Sequence, residues 1–457
     1  MTTTPKNFSL FDSTFHWGIS TSAYQIEGGH DLDNKQPSIW DVFSAKRGKI
    51  FNNDNGNNAC NFLKHYKSDI RLMKSLGIKN FRHSLSWPRI ISDINGTINY
   101  KGIDIYNRII DECLENNIEP WLTCYHWDLP QYIEDTRGWA NRDILNYFSH
   151  YINVCAKNFG DRVKNWMVLN EPLVFTGAGY FLGIHAPGHR DFRFFLKAAH
   201  HAALSQSIGS HILKNEVKNS MVGSTFSCSY ITPYSFTNHD ENAALRADAL
   251  LNRFFIEAAM GKGYPVEHLE FMKKIYNYVL PGDEQLLKAQ FDFVGIQNYT
   301  REVIKHTCWI PLIRARIIPA NKRKVAHTAM NWEIYPESIY HMLKQFNSIC
   351  DGLPLIITEN GAAFDDKLED GKIIDDYRIH YLQRNIEQIH RAKTEGVNIL
   401  GCFIWSLFDN FEWEKGFKPR FGLVHVDFDT HLRTAKKSAL WYRDFLANQN
   451  NSITVRS

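Results

Sequence analysis

Apolar and β-branched residues gather into eight short runs along the chain, at residues 15–21, 80–87, 120–127, 165–170, 220–227, 291–299, 353–359 and 399–407. Each has the length and composition of one strand. Between the runs the apolar spacing turns helical: Leu63, Tyr66, Ile70, Met73 and Leu76 recur at intervals of three and four residues. The same period marks residues 144–159, 194–213, 243–260, 335–349, 377–393 and 435–446. Strand and helix in strict alternation predict parallel pairing through helical crossovers, and eight such units predict an α/β fold closed as a single (β/α)8 (TIM) barrel. A doubly wound open sheet is the competing arrangement. No Gly/Pro/Ser-rich linker or break in composition divides the chain, so residues 1–457 are expected to form one domain. Residues 306–331 fit neither period and are long enough to be a functional loop over a site.

Composition narrows the function classes. Hydrophobic content of 44% with 22% charge is that of a soluble globular chain. The formal net charge of +3 gives no large overall pull toward nucleic acid or anionic membranes, and the cluster Lys322-Arg323-Lys324 reads as a solvated loop. Residues 1–12 lack the charged start and apolar stretch of a secretory leader, and no apolar run has the length of a membrane span. The eight cysteines show no CxxC pair or regular spacing, which points to free thiols in a cytoplasmic protein. No motif calls for a cofactor.

The chemistry sits where the strands end. In a barrel, sites are built at the rim where strands run into the loops beyond them. Here strand candidates end in Arg82, His126-Trp127, Asn170-Glu171, Asn298-Tyr299, Glu359-Asn360 and Trp405. A carboxylate directly after an apolar strand is costly unless solvated or paired. Glu171 and Glu359 occupy equivalent places in two units, and strands of one barrel converge at that rim. Such a pair suits glycoside hydrolysis, in which one carboxyl protonates the leaving oxygen while the other attacks or activates water. Each glutamate alone could equally cap a helix or pair with an arginine.

Flanking residues add a resemblance. FHWGISTSAYQIEGG, VLNEP, IITENG, WSLFDNFEWEKGF and RFGLVHVD, five motifs in order over nearly the full length, resemble those of glycoside hydrolase family 1, the β-glucosidase family. The resemblance implies a retaining β-glycosidase of the non-phospho branch that takes small β-glycosides or oligosaccharides. It implies Glu171 as acid/base and Glu359 as nucleophile, with Arg82 holding Glu359 ionised, Tyr299 orienting it and Asn170 donating to the sugar 2-hydroxyl. Gln25, His126, Trp127, Glu412 and Trp413 match the binders of the terminal sugar ring, Trp405 its apolar floor and Phe421 a further wall. The same likeness implies carboxyl groups about 5–5.5 Å apart, the spacing of retaining enzymes.

The chain departs from that family pattern at three places. Gln297-Asn298 precedes Tyr299 where Asn-Tyr is usual, His83 stands where Phe is usual, and NACNFLKHY lacks the common Asp-His-Tyr run. Trp121, Trp166 and Trp441 read as core, and His200, His201 and His425 as structural. Three alternatives remain at this level: a 6-phospho-β-glycosidase, a catalytically weak glycoside-binding protein of the same fold, and a metal-dependent barrel hydrolase using His126, His185 and His189. Glu412 in NFEWEKGF, in place of a phosphate-binding pattern, argues against the first. Glucose, galactose and fucose are not distinguished, nor is the oligomeric state.

Overall fold

The computed structural model describes residues 11 and 13–454, the last five by backbone alone. The N-terminal stretch read for a secretory leader, residues 1–12, therefore lies outside the described residues except for Phe11. Eight parallel strands close on themselves in chain order: β1 (His16–Ser20), β2 (Asn80–Ser84), β3 (Glu119–Tyr125), β4 (Asn165–Asn170), β5 (Met221–Ser227), β6 (Phe293–Gln297), β7 (Leu355–Asn360) and β8 (Ile399–Trp405). The closing pair aligns Ser20 with Trp405. Closure removes the open sheet from consideration.

Seven crossover helices and a final one after β8 surround the strands: α1 (Phe62–Ser75), α2 (Tyr100–Glu115), α3 (Ile144–Phe159), α4 (Phe192–Glu216), α5 (Asn238–Asp248, running on through a π turn into Phe254–Ala259), α6 (Glu337–Ile349), α7 (Asp376–Thr394) and α8 (Lys437–Thr454). Helix α2 extends the predicted set. Its buried Ile103, Tyr106, Ile110 and Cys113 carry the same period as α1. Several strands end two or three residues earlier than the apolar runs suggest, because residues such as His126, Trp127, Asn298 and Tyr299 already belong to the rim loops.

The barrel interior is layered. Trp121, Met167, Phe293, Ile356 and Phe403, one from each of five strands, pack together with Trp121 edge-on to Phe403 at 5.1 Å between centroids. Trp166 and Trp441 are buried as well, so all three tryptophans read as core are core. Above that aromatic layer the interior turns polar. Glu359 lies three residues beyond inward Ile356, and Asn170 three beyond inward Met167, spacings that strict alternation would send to the opposite face. Register irregularities between Ile357 and Glu359 and between Met167 and Asn170 re-aim both side chains inward.

Residues 306–331 are more ordered than the sequence pattern suggests. Strand Arg301–His306 pairs in parallel with Tyr230–Pro233 and antiparallel with Ala315–Ile317, and a short helix, Ala320–Arg323, comes next. The hydrogen bonds come from partners distant in sequence, which local periodicity does not register.

Candidate active site

The registers place the polar residues side by side. Gln297 at the end of β6 lies opposite Glu359, and Asn170 at the end of β4 lies opposite Thr225 of β5. Asn170 Oδ1 accepts from Arg82 Nη2 at 2.6 Å, Gln297 Nε2 at 2.7 Å and Thr225 Oγ1 at 2.9 Å. Three donors on one oxygen fix the amide's orientation and turn its Nδ2 toward His126 Nε2, 3.0 Å away. Accepting there puts the His126 ring proton on Nδ1, which is buried without a protein partner. Burial, with Arg82 and His83 nearby, holds the His126 pKa well below the usual imidazole value, so the ring is neutral.

Glu359 collects donors. Arg82 Nη1 and Gln297 Nε2 donate to Oε1, the latter at 2.7 Å, and the Tyr299 hydroxyl donates to Oε2. Burial and the two carboxylates lift the Tyr299 pKa well above its ordinary value, so it remains a donor. Arg82 is itself buried and braced by Thr123 Oγ1 at 3.0 Å. Arg82 lowers the pKa of Glu359, as the sequence reading has it, and so does Tyr299, but burial outweighs both and leaves the value raised. Glu171 stands differently. It begins the short helix Pro172–Thr176 in a left-handed conformation (φ 46°), with Pro172 at the first helical position. Burial and the charge of Glu359 raise its pKa to about 8, with Ser227 and Arg82 opposing. Because three donors converge on Glu359, the pair gives up its first proton there and keeps the second on Glu171.

Both carboxyls face a cavity of about 260 Å³. His126, Trp127, Trp405, Glu412, Trp413 and Phe421 line it with them, as does Tyr299. Asn170, Arg82 and Gln25 lie behind this lining. Gln25 spends its amide on Asn410 Oδ1 (3.1 Å) and the Phe411 carbonyl (2.9 Å), bracing the segment that carries Glu412. Trp413 wedges against Trp127 and Trp40, each 4.5 Å between centroids. Trp127 and Trp413 hold left-handed backbone, at φ 79° and 49°, a conformation costing a bulky residue on the order of 1 kcal/mol or more. Gly361, just past β7, meets the β8 end so closely that a Cβ would lie 1.7 Å from the Trp405 carbonyl oxygen. Any side chain there would push apart the two strands carrying Glu359 and Trp405.

Glu412 is half-buried as a residue, but its Oε2 is buried and unpartnered, and burial of the carboxyl beside Glu414, Glu359 and Glu171 raises its pKa well above the ordinary carboxylate value. Glu414 goes the other way: although burial raises it, the His185 hydrogen bond at 2.8 Å, that imidazole's charge and Lys415 bring it to about 2. His126 Nδ1, Gln297 Oε1 and Glu412 Oε2 are thus three buried polar atoms in one site without protein partners. A ligand rich in hydroxyls supplies what such atoms need.

The structure also adds residues that the sequence reading passes over. Glu302, Met330 and Trp332 line the outer part of the cavity, with Val174, Ser229 and Thr300. Burial raises Glu302 to about 7, Arg323 lowering and Glu333 raising it. Glu302 and Trp332 flank the irregular 306–331 region, where no periodicity points to a site. Thr225 and Thr123 are polar positions inside strands, a signal available in the sequence. The three histidines considered as metal ligands do not converge: His126 faces Asn170, His185 faces Glu414 and His189 faces Glu134 at 2.7 Å. His200 bridges Tyr264 and Asp283 within the helical layer, at 2.8 and 2.9 Å. His83 fills its aromatic slot between Phe62 and Phe81 while bonding Thr21 Oγ1 and Glu27 Oε1, so that departure is absorbed by a buried polar network. A larger cavity of about 710 Å³ opens separately between Phe51, Asp54, Phe417 and Phe428, and includes neither catalytic candidate.

Comparisons with known proteins agree with this geometry. The family model described as Glycosyl hydrolase family 1 matches residues 8–451. The chain is 41% identical to beta-glucosidase A of Acetivibrio thermocellus, over 96% of this chain and 98% of the other. It is 40% identical to 1,4-beta-D-glucan glucohydrolase of Thermotoga neapolitana, over 97% and 99%. A solved structure of a Thermotoga maritima family 1 glycoside hydrolase, complexed with a cyclophellitol analogue transition state mimic, superposes with a TM-score of 0.93. It shares 40% identity, covering 97% of this chain and 99% of that one.

Proposed function

The chain belongs to glycosyl hydrolase family 1, and we infer that it is a retaining β-glucosidase-type O-glycoside hydrolase acting on terminal, non-reducing β-D-glucosyl residues of small β-glycosides. The observation that carries this reading is the pair of buried carboxyls on one cavity with opposite surroundings, Glu359 among three donors and Glu171 held protonated to about pH 8. That division is the one a double displacement requires.

In the first step the Glu359 carboxylate attacks the anomeric carbon, the bond to the leaving oxygen breaks, and the Glu171 proton passes to that oxygen. Formation of the glycosyl ester removes the Glu359 charge, one of the two causes that raise Glu171. The Glu171 pKa therefore falls, and the same carboxylate can take a proton from water in the second step. Water adds to the anomeric carbon, the ester bond to Glu359 breaks, and configuration is retained. Arg82, Gln297 and Tyr299 position Glu359 and take up its charge again as it leaves. Asn170, fixed by three donors, offers its amide to the 2-hydroxyl. His126 Nδ1 and Glu412 Oε2 meet further ring hydroxyls, with Trp405 as floor, Trp127 and Trp413 as edges and Phe421 as wall.

Galactosyl and fucosyl glycosides are the alternative glycones, since no residue here discriminates the 4- and 6-positions alone. We read residues 1–457 as one barrel domain. No helix among the described residues is long and apolar enough to cross a membrane, and seven of the eight free cysteines are buried, which supports placing the protein in the cytoplasm. The test is proton NMR of nitrophenyl β-glucoside hydrolysis. The β-anomer of glucose is expected first, and initial α-anomer would refute the displacement through Glu359.

A further inference from the structure

The segment 303–332 carries six basic residues, Lys305, Arg314, Arg316, Lys322, Arg323 and Lys324, and no Asp or Glu. Arg323 is neutralised by Glu333 at 2.6 Å. Among the described residues no carboxylate forms an ion pair with the other five; Glu302 and Glu333 flank the segment, and buried Asp240 accepts the His306 N–H at 2.7 Å and feels the charge of Lys305. A net charge of +3 averages this local excess away.

The same segment exposes apolar side chains. The antiparallel register sets His306 opposite Ala315 and Ile304 opposite Ile317, so residues 307–314 form a hairpin tip. There Trp309 is 93% exposed, and Ile310 and Leu312 are exposed beside it. Strand Tyr230–Pro233 runs parallel to Arg301–His306 with Pro233 opposite Ile304, which carries the chain past the same end to Phe236, 95% exposed. Lys305 lies 4.6 Å over the Tyr234 ring in that neighbourhood. Glu302 at the base of the hairpin lines the active-site cavity, and four residues of strand at roughly 3.3 Å each carry the tip about 13 Å beyond it.

Exposed Trp, Ile and Leu at one tip, flanked by cations without counter-ions, match the chemistry of a bilayer interface. Indole and aliphatic groups enter the headgroup boundary there, while Lys and Arg meet anionic headgroups. We propose that the 303–324 hairpin docks this protein on an anionic phospholipid surface. The attachment is peripheral: the strands keep their ladder bonds, and only the tip side chains enter.

The purified full chain is to be sedimented with vesicles of phosphatidylcholine alone and of phosphatidylcholine mixed with phosphatidylserine. Binding to the mixed vesicles only, released by raised ionic strength, is the expected result. Combined Arg316→Glu, Lys322→Glu and Lys324→Glu should weaken partitioning by at least about a hundredfold, at roughly fivefold for each cation lost. Trp309→Ser should weaken it without changing the salt dependence. Cys308 is the only exposed one of the eight cysteines, so an environment-sensitive dye placed there should shift to the blue on mixed vesicles. Absence of binding, equal binding to neutral vesicles, indifference to these substitutions, or self-association of the chain that they abolish would each overturn the proposal. Hydrolysis of nitrophenyl β-glucoside without vesicles should stay at the wild-type level in both variants. Its loss in step with binding would show that the loop shapes the cavity instead, and would overturn the docking proposal without touching the hydrolase reading.

Discussion

Glu171 and Glu359 are the same side chain in two surroundings, and the difference between them is one of hydrogen bonds more than of burial. Both are buried, but Arg82, Gln297 and Tyr299 donate to Glu359 alone. If the double displacement proposed above holds, activity needs Glu359 ionised and Glu171 protonated, so kcat/KM should fall on both sides of an optimum. As pH rises through about 8, Glu171 loses the proton it must donate, which sets the alkaline limb. The acid limb tracks protonation of Glu359. In Glu359→Gln the charge that raises Glu171 is gone, and titration of Glu171, monitored by carboxyl-specific infrared or NMR probes, should move down from about 8. An unmoved value would mean that burial alone sets it. The roles separate further with azide. Glu171→Ala should still form the glycosyl-enzyme from substrates with good leaving groups and be rescued to a β-glycosyl azide, whereas Glu359→Ala should give at most the α-azide. Equal responses in the two variants would undo the assignment.

At the level of elements, the loop after β8 decides what the sugar 6-position meets. Glu412 and Trp413 face the cavity, and no Lys or Arg is among its lining residues. Lys415 instead lies 3.3 Å from Glu414, and Lys418 sits over the Phe51 ring at 5.2 Å, beside the separate larger cavity. A phosphate dianion here would be buried next to Glu412, Glu359 and Glu171 without a cation. Nitrophenyl β-glucoside 6-phosphate should therefore be at least about a hundredfold poorer in kcat/KM than the plain glucoside, roughly 3 kcal/mol. The opposite preference would reverse the reading of Glu412. This loop also marks how far the sequence could be read. The strand runs and motif residues led to β1 through β8 and to Glu171, Glu359, Arg82 and Tyr299, because burial and short-range order leave a local trace. The inward turn of Asn170 and Glu359 left none, since it comes from register irregularities between strands. Nor did the outer cavity wall: Glu302 is brought there by a sheet whose partners lie some seventy residues apart in the chain, Tyr230 against Arg301, and Trp332 by packing on Tyr299 and Phe421. Gln297 was visible only as a departure, and its double donation to Asn170 and Glu359 required the barrel to be closed first.

For the molecule as a whole, the loops after β7 and β8 must be fastened to the last two helices, and a buried ionic network does so. Lys436, just before α8, donates to Asp409 Oδ1 at 2.7 Å in the loop after β8 and pairs with Asp366 at 2.5 Å in the loop after β7. Arg378 on α7 holds Asp366 at 2.8 Å and also pairs with Asp375, and Arg420 reaches Asp409 at 3.4 Å. Three cations balance three carboxylates, so each charge is compensated only while all are present. Burial and the Arg378 charge lower the Lys436 pKa, and the two aspartates oppose that fall. Lys436→Met removes one cation of similar length and leaves Asp409 and Asp366 short of a partner at a site that excludes water. Loss of one member of a buried pair costs about 3–5 kcal/mol. Thermal inactivation should accordingly begin at a clearly lower temperature, with KM for nitrophenyl β-glucoside near the wild-type value in the protein that remains folded. Adding Asp409→Asn removes the orphaned carboxylate and should restore part of the loss, a coupling that a double-mutant cycle measures. Strict additivity of the two substitutions would show that Lys436 and Asp409 are not coupled and that apolar packing holds the start of α8 in place.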